Sequence, residues 1–303
     1  MKTMTDYGWL AEDMRAFIAL SESFYPPDTV DLSVPEQRAL YDRMCKAFDR
    51  AYPPGLVTED RSFGGVACRV YSPKGARAGV TVVYFHGGGF VVGGLHSHDA
   101  ICAELAAGAG VRLVSVDYRL CPEHRHPAAF EDACAVAEAV QGPKVLAGDS
   151  AGANLAAAVA AARRGAGDVA GQVLIYPGLG GEMTRPSYTI HANAPMLTRE
   201  DVIYYTRERM AKGADSTDPT AAPLKASDFT GLPPTAVFVA ECDPLASDGE
   251  DYTHRLHAAG VSAQCTVEPG LVHGYLRARH MAQGARRSFD RITQALRDFA
   301  QGA

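Results

Sequence analysis

The chain has 303 residues, 47% hydrophobic and 21% charged, with a net charge of −6 from 29 basic and 35 acidic residues. That is enough chain for one large α/β domain with an appendage, and its acidic balance speaks against nucleic acid or an anionic membrane surface as partner. No apolar stretch is long enough to span a bilayer, and Asp6, Glu12 and Asp13 interrupt the place where a signal peptide would need an apolar run. Seven cysteines, odd in number and without a C-x-x-C pair, point to reduced thiols in a cytoplasmic protein rather than a disulfide framework or a zinc site.

In chain order, the first fifty residues read as helical, with Leu40, Met44 and Phe48 spaced by four before "YPPG" breaks the pattern. "RSFGGVACRVYSP" then reads as strand-rich, with Val66, Cys68 and Val70 alternating. From residue 80 the chain alternates. Buried strands are predicted at 80–85, 112–118, 144–148, 171–177, 235–241 and 262–269. Helices are predicted at 97–110, 126–140, 151–164, 247–260 and about 283–299. This implies a mostly parallel sheet flanked by helices on both faces. The alternation stops once, at about 178–231, where Thr198 and Asp201 form a capping box for a helix continuing as "VIYYTRERM". We expect residues 1–55 and this insertion to roof the sheet's C-terminal edge over a catalytic domain at 56–303. Surface decoration and homodimer contacts are the other uses of such an insertion.

"KVLAGDSAGANLAAA" carries the main chemical signal: a strand, then Gly148-Asp149-Ser150-Ala151-Gly152, then an alanine-rich helix. In that context G-x-S-x-G is a sharp turn that lifts the Ser150 hydroxyl above the sheet, with Gly148 and Gly152 removing side chains that would clash. Upstream, "YFHGGGFVVGG" places five glycines in eleven residues. It fails as a dinucleotide fingerprint, because Val92 stands where the third glycine belongs, and as a P-loop, because no Gly-Lys-Ser/Thr follows. The remaining use is an oxyanion hole, with main-chain donors from Gly88, Gly89 and Ala151. His86 and Gly87 then brace the loop, and Asp149 is expected to bond nearby backbone.

Together "HGGGF", "DYRLCPEHRHPAAFEDA", "GDSAG", "AECDPLASDG" and "PGLVHGY" resemble the hormone-sensitive-lipase-like bacterial carboxylesterases of the α/β-hydrolase superfamily, over about Ser62 to Tyr275. The resemblance implies a capped α/β-hydrolase fold, no metal or cofactor, and a small-molecule ester of short-to-medium acyl length as substrate. It also implies a bracing role for Asp117 and Glu123. Departures at Cys121, Cys242 and Glu268 touch pocket shape only.

A serine nucleophile needs a base and an orienting acid, in the chain order Ser, Asp/Glu, His for this fold. His254 and His257 fall in a helix, His191 in the insertion and His280 near the last helix, so His273, in a loop just past a strand, is the expected base. Asp243 directly follows a strand, whereas Asp248 and Asp251 lie further into a helix; Asp243 also holds the place of the family's acid. An amidase, lactonase or formamidase with the same triad, and a non-catalytic ligand-binding homologue, are the alternatives.

Overall fold

The computed structural model describes residues 6–26, 32–211 and 217–302. Two helices, α1 (Glu12–Glu22) and α2 (Val34–Ala47), precede a hairpin of β1 (Leu56–Phe63) and β2 (Val66–Pro73). Then follow β3 (Arg77–Phe85), α3 (Asp99–Ala109), β4 (Val111–Val116), α4 (Ala128–Ala139), β5 (Lys144–Asp149), α5 (Ala151–Ala162) and β6 (Val169–Ile175). The segment after β6 carries α6 (Pro186–Ile190) and α7 (Arg199–Arg209). The chain closes with β7 (Thr235–Cys242), α8 (Ala246–Ala258), β8 (Ala263–Val272) and α9 (Gln283–Gln301).

The strands form one sheet in the order β1-β2-β4-β3-β5-β6-β7-β8, antiparallel at β1–β2 and β2–β4 and parallel from β4 to β8. Register brings the strand ends together. Phe85 pairs with Gly148, Asp149 with Ile175, and Ile175 with Phe238, so β3, β5, β6 and β7 all finish at the same edge. Reactive groups placed just after any of them meet there, as ligands do in open α/β sheets.

Both faces are covered. Helix α5 lies against β3, β5 and β6 through an almost unbroken run of small residues, and Gly152, Ala153, Ala156 and Ala157 are all buried. On the other face α9 turns Ala285, Phe289, Ile292, Leu296 and Ala300 inward at helical spacing, and each large apolar group there contributes roughly 1.5–3 kcal/mol by leaving water.

The six expected strands and five expected helices are present, with shifted ends, but the strand expected to be buried at 262–269 is the sheet's outer strand, and most of its residues there are half-buried or exposed. The strand-rich stretch resolves into a hairpin turned at Gly64 and Gly65, both with positive φ. Its first strand, with Val57, Glu59, Asp60 and Arg61 all exposed at the sheet edge, has no apolar alternation to announce it. The helix expected from 97 starts at Asp99, after a 3₁₀ turn over Leu95–His98. The capping box forms as read: the Thr198 hydroxyl accepts from the Asp201 N–H at 3.1 Å, and Asp201 accepts from the Thr198 N–H at 2.8 Å. Among the described residues, no helix is long and apolar enough to cross a membrane.

Candidate active site

Ser150 sits between β5 and α5 with φ +54° and ψ −116°, a strained pair for a residue with a Cβ. The bend is held by its N–H donating to the Ile175 carbonyl at 2.9 Å. A Cβ on Gly152 would lie 1.9 Å from the Phe85 carbonyl oxygen, so only glycine lets α5 start this close to β3.

His273 follows β8 directly, and Asp243 follows β7. His273 Nε2 lies 2.9 Å from Ser150 Oγ, and His273 Nδ1 lies 2.7 Å from Asp243 Oδ2. An acid at Nδ1 keeps the proton there, which leaves the Nε2 lone pair to accept from the serine hydroxyl. Asp243 is fully buried, and its other oxygen accepts from the Leu245 N–H at 2.8 Å. The Tyr176 ring stands 4.8 Å from the imidazole, centre to centre. Of the other histidines after Ser150, His191 bonds Tyr7, His257 the Ala263 carbonyl and His280 Glu104, while His254 lies in α8.

The glycine loop turns on Gly88 and Gly89, at φ +130° and +59°, with the Gly88 carbonyl accepting from the N–H groups of Val91 and Val92. Gly89, Ser150 and Ala151 line one cavity of about 340 Å³, and Gly88 stands immediately before Gly89. His86 stacks on Tyr118 at 4.3 Å between ring centres, and burial drives its pKa down to about 3, so it is neutral and bound into the loop. The Asp117 N–H donates to the Ala67 carbonyl at 3.0 Å, and Glu123 pairs with Arg38 of α2, so both tie strands or helices to this edge.

Asp149 does more than bond nearby backbone. Its Oδ1 accepts from the Gly87 N–H at 2.9 Å and the Tyr84 hydroxyl at 2.7 Å, and its Oδ2 faces the Tyr176 hydroxyl at 3.2 Å and His98 Nε2 at 3.3 Å. Arg277, hydrogen-bonded to the Ser97 carbonyl and the Tyr41 hydroxyl, reaches the same His98 nitrogen at 3.3 Å. Burial opposes the charge on Asp149, yet His98, the Tyr84 hydroxyl and the Arg277 guanidinium hold its carboxyl well below the usual carboxylate range. One buried anion thus links the glycine loop, the ring beside His273 and the N-terminal helices.

Asp248 lies off this chain of groups. It accepts from the N–H groups of Leu179 and Gly181 and from the Tyr188 hydroxyl, and burial pushes its pKa up to about 6. Glu268 is buried against Arg291 of α9, an ion pair in the place of an aromatic. Among the described residues no group of three or more His, Cys, Asp or Glu side chains is arranged to hold a metal ion.

Two residues of α7 went unnoticed in the sequence. The Tyr205 ring lies against Gly89 so closely that a Cβ there would be 2.4 Å from it, and Arg209 lies over the Phe90 ring at 3.7 Å. Val202, Tyr205 and Arg209, spaced by three and four, were the available signal for one helix face turned inward.

Residues 82–277 match the model of a family described as having the alpha/beta hydrolase fold. The chain is an α/β-hydrolase. This hydrolase is 40% identical over 248 residues to the carboxylesterase NlhH of Mycobacterium tuberculosis, covering 74% of the chain and 76% of the relative. It is 34% identical over 244 residues to an ethyl acetate hydrolase of Pseudomonas putida, covering 75% and 77%. It superposes with a TM-score of 0.86, at 28% identity and over 95% of this chain and 98% of the other, on the crystal structure of an esterase from the bacterial hormone-sensitive lipase family. The hydrolase belongs to that esterase family and is a carboxylic ester hydrolase.

Proposed function

We propose that this ester hydrolase works through Ser150, His273 and Asp243 and acts on small esters of short-to-medium acyl groups. The observation that carries the reading is the unbroken run from Ser150 Oγ through both His273 nitrogens to Asp243, at 2.9 and 2.7 Å. Ser150 Oγ attacks the ester carbonyl carbon as its proton passes to His273 Nε2, and Asp243 stabilises the imidazolium. The carbonyl oxygen becomes an oxyanion facing the N–H groups of Gly88, Gly89 and Ala151, donors that each lower the barrier by about 2.7–4 kcal/mol in such sites. Collapse breaks the bond to the alcohol, which takes the proton from Nε2 as it leaves. Water then attacks the acyl-enzyme and gives its proton to Nε2. The second collapse releases the carboxylic acid and returns the proton to Ser150.

Short acyl groups are supported by a cavity of about 340 Å³ with Tyr205 against one wall, and by a relative named for ethyl acetate. Tyr205 on Gly89, with Tyr7 hydrogen-bonded to His191 and Tyr204 to Gln37, supports reading residues 1–55 and 178–231 as a cap over the catalytic domain. Relatives named as carboxylesterase and ethyl acetate hydrolase do not favour an amide- or lactone-cleaving enzyme. A cytoplasmic setting is supported by seven unpaired cysteines.

The test is an acyl-length series of chromogenic esters on wild type and Ser150→Ala, with organophosphate labelling. Activity that falls with chain length, one label per chain, and loss of both in Ser150→Ala are expected. Undiminished hydrolysis in the variant overturns the assignment.

A further inference from the structure

The cavity beside Ser150 holds a positive charge for which the ester reaction has no use. Arg209, at the end of α7, is 7% exposed and lines the cavity with Phe90 and Ser150. Its guanidinium donates to the Ala221 carbonyl at 2.8 Å and to the Asn154 side-chain oxygen at 3.2 Å. Both acceptors are neutral, and the two bonds leave part of the guanidinium fork unused. Among the described residues no carboxylate is within ion-pair range of it. Asp218 acts on it through space, but its oxygens are taken by Thr220 and His126. Burial lowers the Arg209 pKa to about 10, so the group stays charged at neutral pH.

Stapling α7 to the catalytic domain explains the two bonds, and the Phe90 face 3.7 Å from the guanidinium offsets only part of the cost of burying the charge. A glutamine would serve two neutral acceptors without the several kcal/mol it costs to bury an unpaired ion. The acid in the cavity wall, Asp248, does not supply a counter-ion, since its carboxylate is turned to Leu179, Gly181 and Tyr188. A second cation in the wall, Lys225, is paired with Glu182. Among the described residues the guanidinium in this cavity therefore meets an aromatic face and neutral acceptors but no anion. Asn154, which touches it, follows Ser150 by one turn of α5, about 6 Å along the axis.

We propose that Arg209 is a specificity residue that holds a carboxylate of the substrate, and that the preferred substrates are esters bearing a free carboxylate a few atoms from the reacting carbonyl. The inference rests on Ser150 being the nucleophile in this cavity. Guanidinium and carboxylate meet in a two-pronged geometry, which fixes orientation as well as adding affinity.

The carboxylate has two places on an ester, so the experiment has two arms. Monoethyl succinate against ethyl valerate tests the acyl part, and the acetate ester of 3-hydroxypropionate against butyl acetate tests the alcohol part, all followed by pH-stat. Wild type is expected to show at least about tenfold higher kcat/KM for the acidic member of one pair, mostly through a lower KM. Arg209→Lys keeps part of this preference, and Arg209→Gln brings the ratio toward one. Independently of any variant, succinate is expected to inhibit wild type competitively where butyrate does not. Equal rates within both pairs without succinate inhibition, or an Arg209→Gln variant that slows both members alike, overturns the proposal and leaves the esterase reading standing. A wild type that cleaves none of the four esters overturns both.

Discussion

Replacing Asp149 by asparagine keeps the shape of the buried hub and removes its charge. The amide oxygen in the Oδ1 place still accepts from Gly87 and Tyr84, while the amide nitrogen in the Oδ2 place meets the Tyr176 hydroxyl and His98 Nε2. Two bonds to a charged acceptor are lost, at roughly 1.5–3 kcal/mol each, and Arg277 loses its nearby anion. Tyr176 and His98 can both turn to accept, which brings the net cost to about 2–4 kcal/mol. For a chain of this size that is a fall in Tm of about 3–6 °C. Because the folded carboxyl titrates below its unfolded value, the stabilisation is complete above about pH 4 and is lost as the pH falls towards the depressed folded value. The gap between wild type and Asp149→Asn is therefore constant from about pH 5 to 8 and closes only in stronger acid. Calorimetry across that range measures it. The same variant is expected to lose at least about tenfold in kcat, since the loop bearing Gly88 and Gly89 is referenced to this carboxylate. A variant melting within about 1 °C of wild type at neutral pH, with unchanged kcat, would refute the reasoning.

Asp248 carries the opposite sign. Its folded pKa is raised to about 6, so its contribution to stability is complete below about pH 4 and disappears as the pH rises through 6. Relative to Asp248→Asn, wild type is expected to lose up to about 3 kcal/mol across that window, and a difference in Tm that stays flat with pH would contradict it. Gly89→Ala drives a methyl into Tyr205 at a φ of +59° and is expected to cost about a hundredfold in kcat/KM. Adding Tyr205→Ala to that variant should recover part of the loss. No recovery would mean that the ring is not the obstacle.

How much was legible depended on how far each feature reaches along the chain. Ser150 and its flanking glycines form a local unit, so strand, turn and helix were visible within fifteen residues. Asp243 and His273 stand immediately after parallel strands, which deliver their C-terminal ends to one edge, so chain order and position nominated both before any distance was known. The partners of Asp149 were not visible, because Tyr84, His98 and Tyr176 come from three other segments and meet it only through sheet register. Arg209 and Tyr205 were passed over for the same reason: α7 is polar in composition, and its inward face is defined by Gly89 and Phe90, more than a hundred residues earlier. The edge strand β1 and the five-residue α6 lack the buried periodic face by which such elements are found.

The placement of Tyr205 on Gly89 and of Arg209 on Phe90 couples two properties that are usually varied separately. In the mechanism proposed above, a segment that lines the cavity leans on the same main chain that would meet the reacting oxygen. Exchanging it with a homologue's would change turnover along with preference, and diversification by that route is confined to replacements that keep both pressure points.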